Sequence, residues 1–261
     1  MITSLKNERV RLVRALQERR RVRQRERRFV IEGVRLCEEA ARAGFVPHFV
    51  FFTAAARGDE RAGRLLTAWQ ERSISCEEVD PLVMSACSDT ETPQGLLAVV
   101  PIPALPRPAH PTLTLILDQV REPGNLGTVL RTALAAGVEQ ALLTPGTVDA
   151  TNPKVVRSGM GAHFRLPIAA LEWDKIAQAV AGRPVYLASA QGGIPHTAVD
   201  WTGPVALIVG GEAEGASPPA YALATHQVTI PLAGEVESLN AATAAAVILF
   251  EAARQRGAHG K

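Results

Sequence analysis

The sequence predicts an α/β protein in two parts, a smaller α/β domain followed by one built on a mostly parallel sheet. Three observations carry this expectation. Short apolar runs alternate with longer stretches of helical spacing along the chain. Five prolines fall within residues 101–111, a composition that favours an extended linker over either regular element. Of the 261 residues, 47% are hydrophobic and 21% charged, enough to bury a sizeable core without disulfides or metals.

Residues 1–101 form the first domain. Val10, Val13 and Leu16 recur at helical spacing, so one basic amphipathic helix is expected over 10–28, with the stem of Arg20 extending its apolar side. Residues 29–31 read as a short strand, and 32–45 as a helix with Gly44 at its C-terminal cap. A buried strand at 49–52, a helix at 61–71 and a strand at 96–100 complete the unit.

Past a linker at 102–111, the second domain covers 112–261. Strands are expected at 113–117, 141–144, 185–188, 205–209 and 227–230. Helices are expected at 126–136, closed by Gly137, at 152–160 and at 240–254. Strands separated by helices point to a parallel sheet covered on both faces.

Charge is distributed unevenly. Residues 5–28 hold eleven basic and three acidic side chains, a net +8 in a chain whose total is +2. Clustering of this kind is the footprint of a polyanion binder, and Lys6, Arg19, Arg20, Arg21, Arg23 and Arg25 are its candidate nucleic-acid contacts. Cys37, Cys76 and Cys87 are odd in number and lack C-x-x-C spacing, which fits reduced thiols rather than a disulfide framework or a zinc site. The six histidines form no metal-binding pattern, so no metal is expected. The N-terminus lacks an apolar signal segment and the longest apolar run, 241–250, is too short to span a bilayer, so a cytoplasmic protein without a membrane partner is expected.

Three segments of the second domain carry candidate chemistry, each following an expected strand, where parallel sheets bind their ligands. In the first, Asp118-Gln-Val-Arg-Glu-Pro-Gly-Asn-Leu-Gly-Thr-Val-Leu-Arg, Gly124 and Gly127 permit a tight loop and Asn125 can cap the next helix. Arg131, one turn in, either reaches back toward a bound phosphate or is an ordinary solvated arginine. In the second, Gly210 and Gly211 end a strand ahead of Glu212, and serve either a bland turn or a close-approaching ligand. In the third, Ile230 and Leu232 suit the grip of a flat ring, while Ser238 and Asn240 open an alanine-rich helix as caps or as ligand contacts. The small residues Ala242, Ala245 and Ala246 let another helix pack closely, within the domain or across a dimer.

The ordered set Asn125-Leu-Gly-Thr-Val-Leu-Arg131, Gly210-Gly-Glu212-Ala-Glu-Gly215 and Ile230-Pro-Leu-Ala-Gly with Ser238-Leu-Asn240 resembles the SpoU (TrmH-like) family of RNA ribose methyltransferases in the SPOUT superfamily. Ala213 stands where the family's commoner form has a glycine. The first domain resembles the RNA substrate-binding domain often fused to this family. The resemblance implies a trefoil knot in the C-terminal sheet domain, an exception to the rule against knots. It also implies a bound S-adenosylmethionine, a homodimer and 2′-O-methylation of RNA, with large-subunit ribosomal RNA favoured and transfer RNA the alternative. Carried over by position, Gly210, Gly211, Ile230, Leu232 and Leu239, with Ser189 and Gln191 after an earlier strand, would bind the cofactor. Asn125, Arg131, Glu212, Ser238 and Asn240 would form the catalytic end. Two rival readings stand beside it: a dinucleotide oxidoreductase, which lacks G-x-G-x-x-G here, and a noncatalytic RNA-binding ribosome-assembly protein.

Overall fold

The computed structural model describes residues 1–211, 215–234 and 236–257. It divides into two compact units, one of 1–103 with 151–164 and the other of 104–150 with 165–261. In the first unit the chain runs α1 (Glu8–Glu18), α2 (Arg20–Glu26), β1 (Arg28–Glu32), α3 (Val34–Arg42), β2 (Phe49–Phe52), α4 (Ala54–Gly58), α5 (Glu60–Glu71), β3 (Ser75–Glu78), α6 (Pro81–Cys87) and β4 (Leu96–Pro101). The sheet order is β1-β4-β2-β3, antiparallel at its first two junctions and parallel between β2 and β3.

β2, β4 and the centre of β1 are apolar because both faces are covered there, and alternate side chains serve different cores. Phe29, Ile31, Val50, Phe52, Leu96, Ala98 and Val100 meet Leu36 and Cys37 of α3 and Leu66 and Trp69 of α5. Val30, Phe49, Phe51, Leu97 and Val99 meet Val10, Val13 and Leu16 of α1 and Met84 of α6.

The basic stretch is two helices, not one. Arg19 is extended (φ −122°, ψ 108°) and ends α1, and the guanidinium of Arg23 folds back to donate to the Leu16 and Gln17 carbonyls at 2.8 and 3.2 Å. Those carbonyls belong to the last turn of α1, where no intrahelical donor remains, so Arg23 caps the helix it follows. Asn7 caps the other end, its Oδ1 accepting from the Arg9 and Val10 amides.

The chain continues through β5 (Leu113–Asp118), α7 (Pro123–Ala135), β6 (Gln140–Leu143) and α8 (Pro153–Gly159). The units divide between residues 103 and 104, inside the expected 102–111 linker, but 151–164, expected in the second domain, groups with the first unit. Val156 and Phe164 complete its core, with Phe164 at 6.0 Å from the Phe29 ring and 5.0 Å from Phe45. Gly161 (φ +91°) lies so close that a Cβ there would stand 2.8 Å from the Cβ of Glu39.

The second unit adds β7 (Ile168–Ala170), α9 (Trp173–Ala179), β8 (Val185–Ala188), β9 (Ile194–Pro195), β10 (Val205–Gly210), α10 (Pro218–Leu223), β11 (His226–Thr229) and α11 (Ala241–Gln255). Seven strands, all parallel among the described residues, lie in the order β7-β6-β5-β10-β8-β11-β9. Ile116, Leu142, Leu187, Ala206 and Ile208 face α9 and α10 through Ile176, Val180 and Ala220. Their neighbours Leu115, Leu117, Leu207 and Val209 are equally buried and point the other way, the side on which α11 packs against α7 and β10. Ala242 and Ala245 are buried by that packing, so the small-residue face is used within the unit. At the far end of α11, Arg256 donates to the Thr112 and Gly203 carbonyls at 3.0 and 2.6 Å, tying the helix to the starts of β5 and β10.

Candidate active site

Because β5, β8, β10 and β11 run parallel, their carboxyl ends and following loops meet at one edge of the sheet. A cavity of about 450 Å³ opens there, within the range of small-molecule sites. Of the expected cofactor residues, Ser189, Gly210, Gly211, Ile230, Leu232 and Leu239 line it, and Ser238 and Asn240 from the expected catalytic set join them.

The glycines are required by backbone crowding. A Cβ on Gly210 would lie 3.0 Å from the backbone of Ala216, and one on Gly211 would lie 2.5 Å from the Gln119 carbonyl oxygen. Ile230, Leu232, Leu239 and Ile248 give the opposite wall its apolar character. Gln191 is not on the wall. Its backbone closes a turn on the Ser189 hydroxyl, which donates to the Gln191 carbonyl at 2.7 Å, and the chain then turns away through Gly192 and Gly193.

At the rim, the cap of α7 differs from the one expected, and the cap of α11 is one of the two expected candidates. Glu122, not Asn125, caps α7, with its carboxylate accepting from the Gly124 amide, and Pro123 occupies the first helical position. Asn240, not Ser238, caps α11, accepting from the Ala242 and Thr243 amides at 2.9 and 3.3 Å. Asn240 turns its NH₂ to the side-chain oxygen of Asn125 at 3.3 Å, linking the first turns of α7 and α11. Arg131 is exposed on α7, and its guanidinium makes no bond with another described residue. Glu212 lies outside the described residues.

Asp118, at the end of β5, was not singled out by sequence, although it is wholly buried beneath these loops. A buried carboxylate is visible only once the partners that satisfy it are known. Burial pushes the Cys37 thiol up, and that of Cys87 to about 11, so neither is poised as a nucleophile. Among the described residues no group of three His, Cys, Asp or Glu could hold a metal ion, and no helix is long and apolar enough to cross a membrane.

In the first unit, Lys6, Arg19, Arg20, Arg21 and Arg25 are exposed, and Arg25 pairs with Glu26 at 2.8 Å. Arg23 is the exception: it is 3% exposed and spent on the α1 carbonyls and on the Thr151 hydroxyl, at 3.1 Å.

Residues 112–250, the stretch that carries the cavity and its three loops, match the SpoU rRNA Methylase family. The chain belongs to that family. Ahead of the SpoU region, residues 7–98 match the MRM3-like substrate binding domain. Two curated relatives span both parts of this SpoU chain. Human mitochondrial rRNA methyltransferase 3 is 33% identical over 93% of this chain and 71% of its own length. The 23S rRNA (guanosine(2553)-2′-O)-methyltransferase RlmP of Bacillus subtilis is 33% identical over 95% of this chain and 97% of its own. Among solved SpoU-like structures, an AdoMet-bound rRNA methyltransferase from Sinorhizobium meliloti superposes with a TM-score of 0.85 at 31% identity, covering 97% of each chain.

Proposed function

We propose that this SpoU protein methylates a ribose 2′-hydroxyl of large-subunit ribosomal RNA, with S-adenosylmethionine as donor. The observation that carries the proposal is the cavity itself: two of the family segments, 210–215 and 230–240, converge on one space whose glycine wall admits a ligand against the backbone, and the third reaches its rim through the Asn125–Asn240 bond. Its residues fit the donor, since Ile230, Leu232 and Leu239 offer apolar surface for an adenine ring and Gly210 and Gly211 leave their backbone groups accessible. Bound there, S-adenosylmethionine supplies an electrophilic methyl group on a sulfonium.

The chain's own residues have the remaining tasks of aligning the hydroxyl and managing its charge. A guanidinium does not act as a simple base, because it stays protonated. Arg131 therefore binds the phosphate of the target nucleotide and stabilises negative charge developing on the hydroxyl oxygen, while a phosphate oxygen or water accepts the proton. Asn240, its amide orientation fixed by the cap of α11, holds Asn125 at the rim, and Ser238 contributes a hydroxyl on the wall. Glu212 completes the set by its place in the family motif. In the first unit, exposed Lys6, Arg19, Arg20, Arg21 and Arg25 contact RNA phosphates, which position a substrate without reading its sequence.

Two assembly features belong to the same reading. A trefoil knot is supported by the path of the chain, which leaves β11 near one edge of the sheet and returns in α11 to pack on β10 and α7 near its middle. A homodimer is supported by Val247 and Phe250, large apolar side chains exposed on one side of α11. A ribosomal substrate puts the protein where ribosomes are assembled, which in a bacterium is the cytoplasm.

The test is transfer of labelled methyl from S-adenosylmethionine to ribosomal and transfer RNA from cells lacking the protein. Label in large-subunit ribosomal RNA is expected. Label confined to transfer RNA would overturn the substrate, and a protein that binds S-adenosylhomocysteine but labels neither would favour a noncatalytic role.

A further inference from the structure

The carboxylate of Asp118 is the one wholly buried acidic group among the described residues. It stands at the end of β5, directly paired with Gly210 at the end of β10. One of its oxygens accepts the Ser217 amide at 2.7 Å, and the other accepts the Thr144 hydroxyl at 2.9 Å. The same hydroxyl oxygen accepts the amide of Gln119 at 3.1 Å. Gln119 holds a left-handed backbone (φ +53°), a conformation that a non-glycine residue keeps only when its surroundings impose it. Its carbonyl oxygen is the atom on which Gly211 closes.

These bonds join three segments that leave neighbouring strands: the loop after β5, Thr144 after β6, and Ser217 after β10. Gly210, Gly211, Gly215 and Ala216 line the cavity between the two β10-side anchors, the strand itself and Ser217. The Ser217 hydroxyl is buried without a hydrogen-bond partner among the described residues, so the residue acts here through its backbone amide.

We propose that Asp118 is a positioning residue for the cofactor cavity, fixing the glycine wall through the Ser217 amide and the β5 loop through Thr144. The inference rests on the S-adenosylmethionine reading above and adds to it a residue that does not touch the cavity. Without the carboxylate, the Ser217 amide and the Thr144 hydroxyl lose a charged acceptor at a site closed to water, and the wall is free to shift. Asparagine keeps an oxygen for the Ser217 amide and turns its NH₂ to the Thr144 oxygen, whose proton can move to the Pro145 carbonyl at 3.3 Å.

The experiment is calorimetric binding of S-adenosylhomocysteine to the full chain, with melting temperature and methyl-transfer kinetics measured alongside. Asp118→Ala is expected to weaken affinity on the order of tenfold or more. It should raise KM for S-adenosylmethionine far more than it lowers kcat at saturation. Asp118→Asn is expected to recover most of that loss, which a merely structural role for the charge would not produce. Unchanged affinity in a folded Asp118→Ala protein, or an Asp118→Asn protein as weak as Asp118→Ala, would overturn the proposal.

Should Asp118→Ala not fold, Ser217→Pro removes the donor at a backbone angle (φ −72°) that proline adopts. Weakened binding then supports the clamp, and unchanged binding refutes it. Wild-type protein that fails to bind S-adenosylhomocysteine would take down the methyltransferase reading and this proposal together, whereas failure of the variants alone takes down only the proposal.

Discussion

Arg131 shows how little a residue's own contacts reveal of its role. It is exposed on α7, yet that helix is locked at its first turn by the Asn240–Asn125 bond, six residues before it. If its task is to stabilise charge that exists only during transfer, Arg131→Ala should bind S-adenosylhomocysteine normally while turnover falls by about 10²–10³. Near-normal turnover would refute the role. The neighbouring arginines of the first unit divide in a way composition could not reveal. Arg23 and Arg21 lie two residues apart in one basic run, but one is buried against helix carbonyls and the other faces solvent. Arg23→Ala should cost about 1–3 kcal/mol of stability in denaturant unfolding, because it strands buried carbonyls. Arg20→Gln with Arg21→Gln should leave stability alone and weaken RNA binding. The slope of log affinity against log salt should also flatten, by about 0.7 for each phosphate left unneutralised. The opposite pattern would exchange the two roles.

At the scale of elements, apolar patterning made the interior strands legible. The runs at 49–52, 96–100, 113–117 and 205–209 are all strands, because buried parallel or doubly covered strands need apolar residues on both faces. β3, with the sequence Ser-Cys-Glu-Glu, carried no such signal, since an edge strand buries little. α9 and α10 were also missed, being only 7 and 6 residues long, too short for a period to emerge. α11 was legible as a helix, but its anchorage was not. Glu251 accepts from Arg254 and Gln255, and Gln255 in turn accepts the Trp201 amide at 2.9 Å. The Arg254 guanidinium, with the Gln255 amide next, holds the Glu251 carboxyl well below its ordinary 4.5, at about 2. A lowered value means the folded state prefers the ionised form, so the contribution is complete above about pH 4.5 and fades as the pH falls toward 2. Glu251→Gln should therefore narrow the stability difference between pH 7 and pH 3, read as melting temperature; an unaltered difference would show the pair to be idle.

For the whole molecule, a linear reading of the chain found the two-part α/β organisation and the two segments that line the cavity, but assigned 151–164 by sequence order. Val156 and Phe164 look like any helix of the second part until the uncovered face above Phe29 is seen to need them. The Asp118 clamp was hidden for the same reason, its partners lying 26 and 99 residues away. Assembly is the remaining property at this scale. Val247 and Phe250 lie exposed on a helix whose other faces are already packed, so Phe250→Glu should shift the molar mass measured by light scattering from dimer toward monomer. A wild-type protein that is already monomeric would remove the basis for that dimer.

The measurement that reaches the central claim most directly is the position of the methyl group on RNA labelled by this protein. A methylated 2′-hydroxyl cannot attack its neighbouring phosphate, so alkaline hydrolysis should leave the label in a single resistant dinucleotide. Label released entirely as mononucleotides would mean methylation of a base, and would contradict the account.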